Sequence, residues 1–163
     1  TSKKRADNGW NWPRNVPWIE RAIQLSGEQP FGFAFVVRST HGKPVPVALA
    51  VGISPFSCVT FADGYSPVDA FVWYVTGIPA EAAVQLGLPG LSATAQAVAY
   101  CKDLAKHTNS QAQIVLHADP KGPSLLRFYS EKCNMLNLPH DAIIRGPLTR
   151  RNDGRFFRSQ DAT

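Results

Sequence analysis

A chain of 163 residues, 44% of them hydrophobic, can bury one sizeable core and is short for two, so residues 1 to 163 are expected to form a single domain. No apolar run reaches the roughly 18 residues of a membrane span, which argues against membrane insertion, and Cys58, Cys101 and Cys133 follow no metal spacing, which predicts free thiols in a cytoplasmic setting. The net charge of +5 belongs to the ends: residues 6 to 144 hold nine Lys or Arg against ten Asp or Glu, and the excess lies in Lys3, Lys4 and Arg5 and in Arg145, Arg150, Arg151, Arg155 and Arg158. Basic ends on a neutral body are a weak argument for a nucleic-acid partner, and solubility explains them as well.

Taken in chain order, Thr1 to Arg5 have no apolar leader core and read as a trimmed terminus rather than a signal peptide. Residues 6 to 16, with Trp10, Trp12 and Pro13, show no period and read as irregular. Pro17 to Ser26 is predicted helical. Proline suits an opening turn because its missing N–H has no helical partner there, Ile19, Ala22 and Ile23 share a face, and Gly27 is placed as a stop. Phe31 to Val37 is a strand of aromatic and β-branched residues. His41-Gly42-Lys43-Pro44 is a turn. Val45 to Ile53 is apolar on both sides and therefore central in a sheet, with Pro46 near its start, where a missing donor does least harm. Ser57 to Ala62 and Ala70 to Val75 follow as strands, separated by the loop Asp63 to Pro67.

Ala80 to Ala83 predicts a short helical turn, and Gly87 and Gly90 a glycine loop. The helix from Ser92 to Lys106 presents Ala93, Ala97, Cys101, Leu104 and Ala105, a narrow small-residue face that lets it sit close to a sheet, and Lys102, Lys106 and His107 complement the dipole at its end. Gln113 to Ala118 is the fifth strand. Asp119-Pro120-Lys121-Gly122 is a turn, and Pro123 opens a helix striped by Leu125, Leu126, Phe128, Tyr129 and Cys133. Met135 to Leu138 is a sixth strand, and Ala142 to Ile144 with Gly154 to Arg158 predict a last irregular hairpin. Strands first and alternation later imply a mixed α/β or α+β sheet.

Strand, glycine loop, helix, strand and aromatic helix, in that order over Val72 to Met135, resemble the GNAT superfamily of acyl-CoA N-acyltransferases. Phe128-Tyr129 stands where the family commonly has a Phe/Leu-Tyr pair, after a strand that ends in a polar turn. The family's cofactor loop reads Arg or Gln, two residues, Gly, one residue, Gly or Ala. Gly90-Leu91-Ser92 matches its second half, whereas Gly87 stands where Arg or Gln is usual and Gln85 lies two residues early. Lys121 and Gly122 replace the Asn often found before the aromatic helix. Cys133-Asn134-Met135 replaces the usual Gly-Phe after it.

The resemblance implies a mostly antiparallel sheet of about six to seven strands with helices on both faces. It implies acetyl-CoA as cosubstrate, held by Gly87, Gly90, Leu91 and Ser92 at the pyrophosphate, with Tyr74, Val75, Thr76 and Phe128 along the pantetheine arm. The physics asks for similar parts, since a glycine loop and a helix N-terminus hold a pyrophosphate without any cation, and no Lys or Arg lies between Lys43 and Lys102. In such folds the end of the fourth strand splays from the fifth, and the cofactor arm lies in the gap, paired by backbone as an added strand would be. Gly77 suits a bulge or a close approach there.

N-acyl transfer needs a neutral amine, a donor for the developing oxyanion and an acid for the leaving thiolate. The resemblance makes Tyr129 the acid. A backbone N–H near Val75 or Thr76 is the oxyanion donor. No single base stands out: Glu81, close to the cofactor loop, is the candidate taken, and Asp69, Asp119, His117 or an ordered water are alternatives. The acceptor is a small-molecule or peptide amine that the residues do not specify. The first helix region, with Trp18, and the loops, with Tyr65, are the expected acceptor region. Two other readings stay open: a GNAT-fold module without catalysis, and a basic protein acting on nucleic acid or aminoacyl-tRNA. No metal is expected. The oligomeric state is open, a homodimer included.

Overall fold

Of the nine residues from Val45 to Ile53 (β2), Val47, Ala48, Ala50, Gly52 and Ile53 are buried, on both faces of the strand, as fits a strand whose edges are both paired and whose faces are both packed. The computed structural model that shows this describes residues 30–37, 44–54, 59–60, 69–108, 111–144 and 152–160. The expected helix Pro17 to Ser26, the tryptophan segment, the Asp63 to Pro67 loop and Arg145, Arg150 and Arg151 lie outside them.

β2 is flanked by β1 (Pro30–Val37) and β4 (Asp69–Gly77), both antiparallel to it. β4 runs parallel to β5 (Gln113–His117). β8 (Phe156–Ser159) is antiparallel to β5, and β6 (Met135–Asn137) closes the far edge. The main sheet therefore has six strands in the order β1-β2-β4-β5-β8-β6, four of its five pairings being antiparallel. Two short strands, β3 (Val59–Thr60) and β7 (Ile143–Ile144), pair separately. The mixed, mostly antiparallel sheet is as expected.

The last hairpin is not. Ala142–Ile144 and Gly154–Arg158 do not pair with each other: β7 joins β3, while β8 inserts between β5 and β6. The reason is burial. Phe156 and Phe157 are adjacent, so they point to opposite faces of a strand, and each is 1–2% exposed. Only an interior strand can bury both.

Three helices are described: α1 (Ala80–Gln85), α2 (Ala93–Thr108), and α3, in which one α turn (Leu125–Arg127) continues as a π-helical turn (Phe128–Lys132). Ala97, Val98, Cys101 and Ala105 of α2 are fully buried. Val98, Cys101 and Ala105 pack with Tyr129 and Cys133 of α3 onto Ala50, Ala70, Val72, Ile114, Leu116 and Phe157. Small side chains on one stripe bring α2 down onto the sheet, as the sequence suggested. The opposite face of Ile53, Phe71, Val115 and Phe156 is covered, among the described residues, by Leu138, Ala142 and Ile144.

Candidate functional site

β4 and β5 pair in register from Asp69↔Gln113 to Val72↔Leu116 and then part, although β4 continues to Gly77. The parting coincides with an irregularity in β4. Val51 pairs with Tyr74 and Gly52 with Val72, so Trp73 is one residue too many. An extra residue reverses which face each later side chain takes. Phe71 and Trp73 accordingly pack on one face, while Val75, of the same parity, packs on the other with the α2 clusters. A fork at the carboxyl ends of parallel strands is where open mixed sheets place their ligand crevices.

The backbone lining this fork follows from one hydrogen bond. Ile78 N–H donates to Val47 C=O at 2.8 Å, so residue 78 faces β2. Backbone direction alternates along an antiparallel strand. Thr76 and Tyr74 therefore also face β2, and Val75 and Gly77 turn their N–H and C=O groups to the side that β5 has left. Of the expected cofactor-arm residues, Val75 has its main chain in the gap. Tyr74 is half-buried, and Thr76 has a buried side chain.

At the wide end of the fork stands the N-terminus of α2. A Cβ on Gly77 would lie 2.6 Å from Thr94 N and 2.9 Å from Ala93 Cβ, so the backbones touch there and only glycine fits. This is the close approach expected of Gly77, while the bulge sits four residues earlier. Ser92 C=O accepts the Gln96 N–H at 3.0 Å, which makes Ser92 the residue before the first turn. The first-turn N–H groups of α2 have no intrahelical acceptor and carry the positive end of its dipole.

The two loop glycines have a structural explanation. Gly87 (φ +72°) ends α1: its N–H donates to Val84 C=O at 3.0 Å and Leu88 N–H to Ala83 C=O at 2.9 Å, the paired bonds of a Schellman cap. Gly90 (φ +79°) follows Pro89 in a turn closed by Leu91 N–H to Leu88 C=O at 3.3 Å, the place where a type II turn needs positive φ. Gly87 thus gives its amide to the end of α1. Leu91 packs with Ala93 and Ala97 against Val47 and Ala48.

Tyr129 is 5% exposed, in van der Waals range of the Phe128 and Phe157 rings, with centroids at 5.4 and 5.5 Å. Burial, with smaller effects of Cys133 and the Asp119 carboxylate, pushes its phenol well above the ordinary value of about 10. The phenol therefore stays protonated at any physiological pH. It also sits in the π-helical turn, closed by Cys133 N–H to Phe128 C=O at 3.2 Å, and such turns concentrate at functional positions. Lys102 of α2 holds the end of that turn, its Nζ donating to Cys133 C=O at 2.7 Å. Val75 packs against the clusters of both Tyr129 and the α2 N-terminus, so the fork connects them. Glu81 is exposed in the first turn of α1. The carboxylate that bears electrostatically on Tyr129 is Asp119, at the end of β5.

Sequence reasoning missed the loop that packs on this end of β5. Arg155 donates to the carbonyls of Ala118 (2.9 Å), Asp119 (2.7 Å) and Gly122 (3.2 Å), fixing the turn before α3. His117 Nε2 meets Asp153 Oδ2 at 2.9 Å. No local signal joins residues 36 apart. Among the described residues no group of His, Cys, Asp and Glu is arranged to hold a metal ion, and no helix is long and apolar enough to cross a membrane. No family model, curated protein or solved structure matches the chain.

Proposed function

We propose that the chain is an acyltransferase of the GNAT type, moving an acetyl group from acetyl-CoA to an amine by direct attack. The observation that carries this reading is the fork: β4 and β5 part after Val72↔Leu116, leaving the Val75 and Gly77 main chains without a strand partner on that side among the described residues, with the α2 N-terminus at one end and Tyr129 in the adjoining cluster. An extended, amide-bearing arm such as pantetheine fits an open strand edge, because it can supply the missing acceptor and donor groups. A pyrophosphate fits the first turn of α2 through its N–H groups. The parts suit this cosubstrate with no cationic side chain.

In this reading the Val75 N–H faces the gap and supplies the donor for the charge that develops on the thioester oxygen. Tyr129, kept protonated by burial, supplies the proton to the departing thiolate. Gly90, Leu91 and Ser92 set the approach to α2, and Phe128 shapes the wall beside Tyr129. Glu81 is not needed for either step. The acceptor is a small-molecule or peptide amine.

The experiment is a thermal-shift titration with acetyl-CoA, followed by thiol release. Acetyl-CoA at 100 times its Kd stabilises by about 2.7 kcal/mol, and Tyr129→Phe should keep that shift while transfer falls about 100-fold or more. No shift at millimolar acetyl-CoA would sink the reading. A shift with unchanged turnover in Tyr129→Phe would leave a CoA-binding fold with a different acid.

A further inference from the structure

His117 is the last residue of β5, one position beyond the Leu116 that makes the final pair with β4. It therefore stands at the crotch of the fork, across from the extra residue Trp73. Its parity with Val115 puts it on the face away from α2, and its ring lies 4.6 Å from that of Phe156 on the same face. The side chain is 14% exposed, covered but reachable. None of the steps above uses it.

The ring is oriented for one purpose. Nε2 is 2.9 Å from Asp153 Oδ2, and a carboxylate only accepts, so the ring proton sits on Nε2 and Nδ1 carries the lone pair. Burial works against the charge of Asp153, yet hydrogen bonds from His117 and from the Arg155 N–H, at 3.0 Å to Oδ1, hold its carboxyl below the usual range. The carboxylate is fixed at both oxygens. Arg155 in turn is anchored on the carbonyls after β5. Nδ1 has no partner among the described residues. A base with one nitrogen fixed and the other open, at the fork of a sheet, is the arrangement that accepts a proton from a bound nucleophile.

We propose that His117, held by Asp153, is the base for the acceptor amine, which reaches the fork from the face opposite α2. This rests on the acyltransferase reading. The amine nitrogen bonds to the thioester carbonyl carbon, and the carbon–sulfur bond breaks. One N–H proton passes to His117 Nδ1 and the Tyr129 proton to sulfur. Solvent then returns the imidazolium proton to Tyr129, and the sum is amine plus acetyl-CoA to amide plus CoA thiol. The other titratable or charged groups on the segments packed around β5 and β8 are Asp119 on the following turn, Arg155, which holds Asp153 Oδ1, Arg158, paired with Val115, and His140, whose Cε1 is 3.6 Å from where a Cβ on Gly154 would lie.

The test uses the full chain with acetyl-CoA and three primary-amine probes: spermidine, tyramine and a lysine-containing tetrapeptide. Acetyl-CoA binding is read by thermal shift and transfer by thiol release and product mass. His117→Gln should lower kcat by about 100-fold and flatten the acidic limb of the rate profile, with the acetyl-CoA shift intact. Asp153→Asn should lower kcat less and change the shape of the acidic limb, because the ring loses the carboxylate that orients it. Ring-nitrogen NMR of the wild type should show the proton on Nε2. Wild-type protein that neither binds acetyl-CoA nor acetylates any probe overturns the acyltransferase reading and the base with it. An active wild type whose His117→Gln variant keeps kcat and the acidic limb overturns the base alone. A proton found on Nδ1 does the same without reference to activity, should His117→Gln fail to fold.

Discussion

A methyl group on Gly77 has nowhere to go. Its position lies 2.6 Å from Thr94 N and 2.7 Å from Thr94 Oγ1, and backbone cannot swing aside as a side chain tip can. Gly77→Ala is therefore expected to cost about 1 to 3 kcal/mol, read as a lower urea midpoint at unchanged slope. It should also weaken acetyl-CoA binding, since α2 must move off the fork. Gly87 is the contrast. Nothing lies within 4 Å of its absent Cβ, and its need for glycine is the positive φ alone. Gly87→Ala should cost about 1 to 2 kcal/mol and Gly87→Asn less, with binding preserved in both. Asp153 adds a pH dependence. Its folded carboxyl titrates below the unfolded value of about 3.9, so its contribution is present above that pH and disappears as pH falls through the folded value. In Tm scans from pH 5 down to pH 2, Asp153→Asn should decline less steeply than wild type below about pH 4.

At the scale of elements, α3 depends on α2 for its ending. The π-helical turn leaves carbonyls at Cys133 and Asn134 without helical partners, Asn134 adopts φ +48°, and Lys102 Nζ reaches both carbonyls at 2.7 and 3.3 Å. Lys102→Met keeps most of the side-chain volume and removes the donors. It should cost about 1 to 3 kcal/mol in chemical denaturation and lower transfer through Tyr129, the second residue of the turn. Unchanged stability would mean that the turn ends without its cap. The elements were legible in the sequence to the extent that local chemistry makes them: the apolar run of β2, the small-residue stripe of α2 and the Asp119 to Gly122 turn come directly from residue order. What residue order hides is pairing at a distance. Trp73 reads as one more strand residue until β2 is laid beside it, and the glycine loop reads as a phosphate cradle until Gly87 is seen to end α1. His117 looks alike whether or not Asp153 lies beside it, and the same blindness made β7 and β8 a hairpin.

For the whole molecule, β8 is the strand on which both proposed reactive groups depend. Phe157 packs in the cluster under α2 and α3, with its ring 5.5 Å from Tyr129. Its neighbour Phe156 packs in the opposite cluster, with its ring 4.6 Å from His117. One pair of adjacent residues thus seats the Tyr129 phenol from one face of the sheet and the His117 imidazole from the other, and pins β5 to β6 between them. Truncation of either ring to alanine should remove about 3 to 5 kcal/mol, a large part of the roughly 5 to 15 kcal/mol that holds a domain folded. Leucine substitutions separate packing from chemistry, because they keep the apolar contact and remove the aromatic plane. Phe157→Leu should lower kcat with little change in the acidic limb of the rate profile, since it loosens Tyr129. Phe156→Leu should shift that limb, since it loosens the His117 ring against Asp153. If the two variants lose activity in the same way and in proportion to their loss of stability, β8 serves the core alone, and the division of acid and base between the two faces fails.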